Sequence, residues 1–293
     1  MSSAKWDHQT LALEVNGASL ELDTLVSHGR KPPVLFLHGF GSTKEDYADF
    51  AHIPKLAAGG FIAFDAPGFG RSMSNDLSRV SIEFLVDVAD AVLKRLAIEE
   101  FHVVGHSMGG LTALMLAQRA PDRVLSFVNI EGNLTLEDCF LSRQIFDNPT
   151  DDPAVFLEEF AARTHPGLEF SSALYASNVR SKVRPGVVRS VFESMVDLSK
   201  NGDLLARFTA LALPRLFMYG AQNAGLSYIP LLREHGVELA EIPSSGHWPM
   251  YSNPVAMWAE IAGFYDLHFD RGRRRAFPAS RWRRWAADAR RTA

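Results

Sequence analysis

Short apolar segments alternate with longer amphipathic ones along the first 130 residues. The longer segment 81–96 repeats apolar side chains at helical spacing, with polar residues between them. The short segments are almost continuously apolar, as strands are when both faces of a sheet are covered; they span residues 33–37, 61–64, 101–104 and 124–130. Strands that alternate with helices in this way predict a mostly parallel sheet with helices on both faces.

The chain begins with a different pattern, which predicts a hairpin. Two runs of alternating apolar residues, 11–15 and 20–26, flank the pair Asn16-Gly17. These two residue types accept the positive φ angles that a two-residue hairpin turn needs. Helical patterns follow at 47–56 and 107–119, and Pro121 ends the second of them.

The alternation of strands and helices stops between residues 132 and 212. This stretch carries helical patterns only, which are clearest at 153–164 and 187–198. Strand and helix patterns then resume, at 215–219, 226–235, 238–242 and 255–264. A helical cap inserted after the sixth predicted strand explains this order. The alternative is a set of helices packed on the sheet in the ordinary way.

These patterns give a domain organisation. We expect a core made of residues 1–131 and 213–270, with the helical cap at 132–212. Residues 271–293 form a separate C-terminal tail that contains nine arginines and one acid. The rest of the chain then carries 21 basic and 33 acidic residues, so an acidic body precedes a basic tail.

Composition excludes several classes of protein. With 293 residues, 47% of them hydrophobic, the chain is long enough for one large core. The single cysteine, Cys139, cannot form an internal disulfide, and neither a signal peptide nor a membrane span is expected, so we predict a cytoplasmic protein. No nucleic-acid partner is predicted. The basic tail is expected to be a solvated appendage, and a weak contact with an anionic surface stays open.

Chemistry is indicated first by the segment from Gly105 to Gly110, which reads GHSMGG and lies between a predicted strand and a predicted helix. A nucleophile elbow requires this context, because the turn is tight and only small residues fit two positions before and two after the nucleophile. Ser107 is therefore a candidate nucleophile. The helix that follows it would favour a developing negative charge at its N-terminus. The alternative is a glycine-rich turn without chemistry.

Three further motifs occur in an order that resembles the α/β-hydrolase superfamily over about residues 10–268. HGFG begins at His38 after the third predicted strand, DAPGFGRS begins at Asp65 after the fourth, and SSGHWP begins at Ser244 after the last. The resemblance implies an α/β-hydrolase fold. It also implies that the histidine of the last motif, His247, is the general base.

The same resemblance assigns the remaining groups around the nucleophile. The backbone amides of Phe40 and Met108 would form the oxyanion hole. His38 and Asp65 would be structural. Phe40, Met108 and Trp248 are apolar and adjoin these groups, so they are expected to contact an apolar substrate. Apolar cap residues are further candidates for this lining; they are Phe140, Phe146, Phe156, Phe160, Tyr175 and Met195.

The acid of the triad is less obvious. Members of the superfamily commonly have an aspartate where this chain has Asn223, and an amide cannot stabilise an imidazolium by charge. Haloalkane dehalogenase-like members take the acid from the end of an earlier strand. That position corresponds here to Glu131, 24 residues after Ser107. We favour Glu131, with Asn223 or a triad that lacks an acid as alternatives.

A serine hydrolase that cleaves a carboxylic ester, lactone or thioester is the function predicted from these residues. The serine at 107 excludes dehalogenase and epoxide hydrolase activity, because those enzymes need an aspartate there. Carbon–carbon bond hydrolysis and hydroxynitrile-lyase-like chemistry are the enzymatic alternatives, and ligand binding without catalysis is the third. No metal or other cofactor is expected, because neither a metal-ligand spacing nor a dinucleotide-binding loop occurs.

Overall fold

The computed structural model describes residues 6–53, 56, 59–148 and 150–268. The predicted tail at 271–293 lies outside the described residues. The strands are β1 (Trp6–Val15), β2 (Ala18–Ser27), β3 (Val34–Leu37), β4 (Phe61–Phe64), β5 (Met73–Ser74), β6 (Phe101–His106), β7 (Val124–Ile130), β8 (Arg215–Gly220) and β9 (Glu238–Ile242).

Ten α-helices alternate with these strands or follow them in the described ranges. They are α1 (Ile82–Arg95), α2 (Met108–Arg119), α3 (Gln144–Asp147), α4 (Pro153–Thr164), α5 (Ser172–Lys182), α6 (Val188–Asn201), α7 (Leu204–Thr209), α8 (Ile229–Glu234), α9 (Pro249–Ser252) and α10 (Pro254–His268). None of them is long and apolar enough to cross a membrane.

One sheet, in the order β1-β2-β4-β3-β6-β7-β8-β9, forms the centre of the fold, and β5 pairs with β2. The strands from β4 to β9 along this path run parallel, and β2 joins them antiparallel. The predicted mostly parallel sheet is therefore confirmed. The two-residue β5 was not predicted, and it makes the sixth predicted strand the seventh in the chain.

Local sequence explains the elements that begin the fold. Asn16 and Gly17 have φ angles of 50° and 81°, and they turn the antiparallel pair β1 and β2. All four residues of β3 are buried, as their unbroken apolar sequence predicts. The helical pattern at 47–56 forms a 3₁₀ helix instead, over Lys44–His52. Its apolar face is short and consists mainly of its own buried residues Tyr47 and Phe50.

The parallel arrangement brings the carboxyl ends of five strands to one edge of the sheet. The loops that leave this edge carry the candidate residues, because Phe40 follows β3, Ser107 follows β6, Glu131 follows β7, Asn223 follows β8 and His247 follows β9. Ligands of open α/β sheets bind at this edge. The fold therefore collects the candidate groups from five distant parts of the sequence.

Helices α3 to α7 come between β7 and β8 in the sequence, and residues in or next to α5 and α6 contact the loops at this edge. The backbone N–H of Gly70 donates to the carbonyl of Lys182 at 2.8 Å, and that of Arg184 donates to Gly68 at 2.9 Å. The Phe40 ring lies 4.4 Å from the ring of Phe192 in α6. These contacts agree with the idea of a cap, whose boundaries at 132 and 212 stay a prediction.

Two helical glycines allow a test of how tightly α2 packs beneath the site. A Cβ atom added at Gly109 would lie 2.0 Å from the carbonyl oxygen of Leu37, whereas one added at Gly263 in α10 would contact nothing within 4 Å. We expect Gly109→Ala to lower the free energy of unfolding by about 2 kcal/mol. Gly263→Ala should raise it by about 0.5–1 kcal/mol, because alanine favours helix. Urea unfolding measures both, and equal effects would contradict the packing described.

Candidate active site

Ser107 occupies the strained turn that joins β6 to α2. Its φ of 50° and ψ of −118° are unusual for a residue other than glycine. The turn is held by two backbone hydrogen bonds, from Ser107 N–H to the carbonyl of Ile130 and from Leu111 N–H to the carbonyl of Ser107, each 3.0 Å long. A Cβ at Gly105 would lie 2.3 Å from the carbonyl oxygen of Gly109, so a glycine is required two positions before the serine.

His247 and Glu131 form a buried hydrogen-bonded pair at the edge of the sheet. His247 Nδ1 lies 2.8 Å from Glu131 Oε2, and the two residues are 4% and 5% exposed. Because a carboxylate only accepts, Nδ1 carries the hydrogen in the neutral imidazole and Nε2 keeps a lone pair. This tautomer is the one that a general base for a serine needs.

Glu131 is held by three donors, which come from the end of β8 and from the loops after β8 and β9. Its Oε1 accepts the backbone N–H of Gly220 at 2.7 Å, and its Oε2 accepts the side-chain amide of Asn223 at 2.7 Å in addition to His247. The two alternatives for the acid are therefore in direct contact. Asn223 donates to the Glu131 carboxylate, and His247 Nδ1 is hydrogen-bonded to Glu131.

The pKa of His247 is shifted by opposing effects. Burial, the largest single effect, lowers it, whereas the hydrogen bond and charge of Glu131, followed by the charges of Glu169 and Asp138, raise it. The raising effects win, so the pKa of His247 lies above its ordinary value. Burial also raises the pKa of Asp138 to about 6, against the hydrogen bonds donated by Leu134, Thr135 and Tyr228.

His106, the neighbour of Ser107, fixes the backbone of the histidine loop. Its Nε2 lies 2.8 Å from the carbonyl oxygen of His247, and the two rings are 5.0 Å apart. Burial holds the pKa of His106 well below its ordinary value, so the ring is neutral and Nε2–H donates. Sequence reasoning gave His106 no contact of this kind, because the partner is 141 residues away.

The two candidate oxyanion donors come from loops that pack tightly against each other. Met108 is the first residue of α2, where backbone N–H groups lack helical partners. Phe40 lies in the loop after β3, and a Cβ at Gly39 in the same loop would be 3.2 Å from the Cβ of Ser107. His38 braces this loop, because its Nδ1 binds the carbonyl of Gly39 at 2.8 Å and its Nε2 accepts Ala66 N–H at 2.9 Å.

Asp65 has the structural surroundings that the sequence predicts, together with a partner that it does not. One carboxylate oxygen accepts the backbone N–H of Lys44 at 2.9 Å, and the other accepts that of Arg71 at 3.0 Å. The fully buried Lys44 ammonium contacts Asp65 at 3.1 Å and Asp23 at 2.8 Å. These ion pairs fix the loop that follows β4.

Aromatic side chains enclose the site. Trp248 is 1% exposed and stacks on Tyr175 of α5 with ring centroids 4.3 Å apart, while Phe140 meets the His247 ring edge-on at 5.1 Å. Phe156 and Phe160 are also buried, whereas Phe146 is 56% exposed and does not contribute. In the described part of the chain, no three histidine, cysteine, aspartate or glutamate residues are grouped to bind a metal.

A mostly parallel sheet with a strained serine turn and helices over its carboxyl edge is the architecture of the α/β hydrolases. Residues 34–261 match the alpha/beta hydrolase family, and the chain belongs to this family. This confirms the fold and the resemblance that the four motifs indicated.

Three similar proteins have low sequence identity to this chain but match it over most of both chains. The pimeloyl-(acyl-carrier protein) methyl ester esterase of Aeromonas hydrophila is 27% identical over 246 residues, covering 77% of this chain and 92% of that protein. The 2-succinyl-6-hydroxy-2,4-cyclohexadiene-1-carboxylate synthase of Serratia proteamaculans is 26% identical over 245 residues, with 80% and 93% covered. A carboxylesterase structure from Nitrososphaera gargenis has a TM-score of 0.68 at 18% identity, covering 88% of this chain and 98% of that one.

The contact between Asn223 and Glu131 can be tested through stability. Asn223→Asp would set a second carboxylate against Glu131, so at pH 8 we expect a loss of about 3 kcal/mol in the free energy of unfolding. The loss should shrink as the pH falls towards 5, because the folded pair can then share a proton that the unfolded chain binds less tightly. Denaturant unfolding at several pH values measures this.

Asn223→Ala is the matched control for that experiment. It removes the same hydrogen bond and adds no charge, so its cost should not change with pH. Identical pH dependence in the two variants would contradict a direct contact between residue 223 and the Glu131 carboxylate.

Proposed function

We propose that the protein is a serine hydrolase that cleaves a carboxylic ester through an acyl-enzyme, with a lactone or thioester as the closest alternative substrates. Ser107 is the nucleophile, His247 the general base and Glu131 the acid. The 2.8 Å hydrogen bond between His247 Nδ1 and Glu131 Oε2 is the observation that carries this proposal. It supplies a charged partner for the imidazole although residue 223 is an amide.

The proposed reaction follows from these assignments. Ser107 Oγ attacks the acyl carbon while His247 Nε2 takes its proton, and Glu131 stabilises the imidazolium that forms. The amides of Phe40 and Met108 bind the oxyanion of the tetrahedral intermediate. His247 then returns the proton to the leaving alcohol, and the carbon–oxygen bond breaks to give the acyl-serine. Water, activated by the same histidine, releases the acid and restores the serine.

The names of the relatives support an ester as the substrate. Both the methyl ester esterase of Aeromonas hydrophila and the carboxylesterase of Nitrososphaera gargenis act on carboxylic esters by name. The apolar surroundings of Ser107 support a small, mainly apolar molecule. Phe40, Met108 and Trp248 are proposed to contact it, because each is buried and adjoins a proposed catalytic group.

Two alternatives keep the same fold. Carbon–carbon bond hydrolysis and a lyase-type reaction stay alternatives, because the name of the Serratia relative describes a synthase and not an esterase. Ligand binding without catalysis was suggested by the amide at position 223. The contact of Glu131 with His247 weakens that argument, since a carboxylate occupies the site from another strand.

Ser107→Ala tests the nucleophile. We expect kcat for p-nitrophenyl butyrate to fall by at least about 10⁴-fold, because the acyl-enzyme cannot form. Labelling by a fluorophosphonate probe should disappear at the same time. Ser181→Ala, at an exposed position of α5, is the control that should leave both readouts unchanged. Full activity in the Ser107 variant would disprove the proposed mechanism.

Glu131→Gln tests the acid. The neutral amide would lose the charge that stabilises the imidazolium and would disturb the tautomer of His247, so we expect kcat to fall by about 10³-fold or more. Asn223→Ala should cost far less, about tenfold at most, because His247 keeps its contact with Glu131. Steady-state kinetics with the same ester measures both. The reverse ranking of the two variants would identify Asn223 as the orienting group.

A further inference from the structure

Residues 168–170, a short segment of the predicted cap, are hydrogen-bonded to the turn after β8. The side-chain amide of Gln222 donates to the carbonyl of Leu168 at 3.2 Å, and its oxygen accepts the backbone N–H of Phe170 at 2.8 Å. The backbone N–H of Gln222 donates to the carbonyl of Ser245 at 3.0 Å, on the loop that carries His247. Gln222 therefore holds the cap segment 168–170 against the histidine loop.

The central residue of this segment, Glu169, turns its carboxylate towards the histidine loop. A methyl group added at Gly246 would lie 3.6 Å from Glu169 Oε2, and this oxygen is shielded from solvent. Burial raises the pKa of Glu169, the charge of His247 lowers it, the charge of Glu131 raises it, and a hydrogen bond from the backbone N–H of His247 lowers it; the net shift is upward.

Three carboxylates from three different elements thus surround His247. Glu131 ends β7, Asp138 lies in the 3₁₀ turn Leu136–Phe140, and Glu169 comes from the cap, and all three raise the pKa of His247. The imidazole of His106 also faces His247, and it is kept neutral by burial. The surroundings of the proposed base are therefore acidic.

We propose that Glu169, held in place by Gln222, is a specificity-determining carboxylate that selects esters bearing uncharged or cationic groups near His247 over esters bearing anionic ones. This inference rests on the proposed function. Repulsion disfavours an anion beside the carboxylates, because charges in a site screened from water interact strongly. A substrate N–H, O–H or ammonium group would instead donate to the Glu169 carboxylate.

Three p-nitrophenyl esters of similar length test the selectivity. They are the neutral butyrate, the anionic monoester of glutaric acid and the cationic 4-(trimethylammonio)butyrate. In the wild type we expect kcat/KM in the order cationic or neutral above anionic. In Glu169→Gln, which keeps the shape and removes the charge, the ratio of anionic to neutral kcat/KM should rise by about fivefold to tenfold.

Two further variants separate the contact from a general effect. Gln222→Ala should change the ratio in the same direction by a smaller factor, with a thermal unfolding scan to check its fold. Glu158→Gln removes another cap carboxylate, which pairs with Arg180 on the exposed face of the cap. This control should leave the ratio unchanged.

A titration of the His247 imidazole by NMR gives a readout that needs no turnover. Removing the Glu169 charge should move its pKa to a lower value, and the acidic limb of kcat/KM should move to lower pH with it. If esters are cleaved while Glu169→Gln keeps the wild-type ratio and titration, this inference is wrong and the proposed function stands. If no ester is cleaved but the titration moves, the proposed function fails and the contact of Glu169 with His247 stands. An unchanged titration overturns the inference in either case.

Discussion

The hydrogen bonds to the Glu131 carboxylate join the parts of the site more than any other interaction does. They connect the end of β7 to the backbone and side chain of the loop after β8, and to the imidazole of the loop after β9. A buried carboxylate costs several kcal/mol unless donors satisfy it, so these three partners are mutually dependent. The Glu131 carboxylate therefore fixes the loops after β8 and β9 at the same time. The order of the parallel strands makes this possible, because β7, β8 and β9 are consecutive neighbours in the sheet.

Much of the fold was predictable because its signals are local. Buried parallel strands are short and apolar, helices repeat every three to four residues, and the strained turn at Ser107 requires glycines at 105 and 109. Two local features were not predicted correctly. β5 has two residues and no periodicity, and the apolar pattern near Tyr47 is too short to distinguish an α-helix from a 3₁₀ helix.

The candidate site, like the fold, was predictable only where its signals are local. Ser107, Glu131 and His247 were named because each follows a strand, and the carboxyl ends of parallel strands meet at one edge. Which of Glu131 and Asn223 faces the imidazole depends on side-chain directions that no local pattern encodes. Glu169 lies in a loop and Gln222 in the 3₁₀ turn Ala221–Asn223. The Gln222 side chain bonds to backbone groups that are 52 and 54 residues away in the sequence. The contact of His106 with the carbonyl of His247, 141 residues away, was not predictable for the same reason.

Gln222 and Asn223 are adjacent, and their side chains reach in different directions. Gln222 bonds to the backbone of residues 168–170, and Asn223 bonds to the Glu131 carboxylate. Ser107 is only 8% exposed, and residues 168–170 are hydrogen-bonded to the same short turn whose next side chain binds Glu131. The position of this segment and the orientation of the Glu131 carboxylate are therefore linked through a single peptide unit.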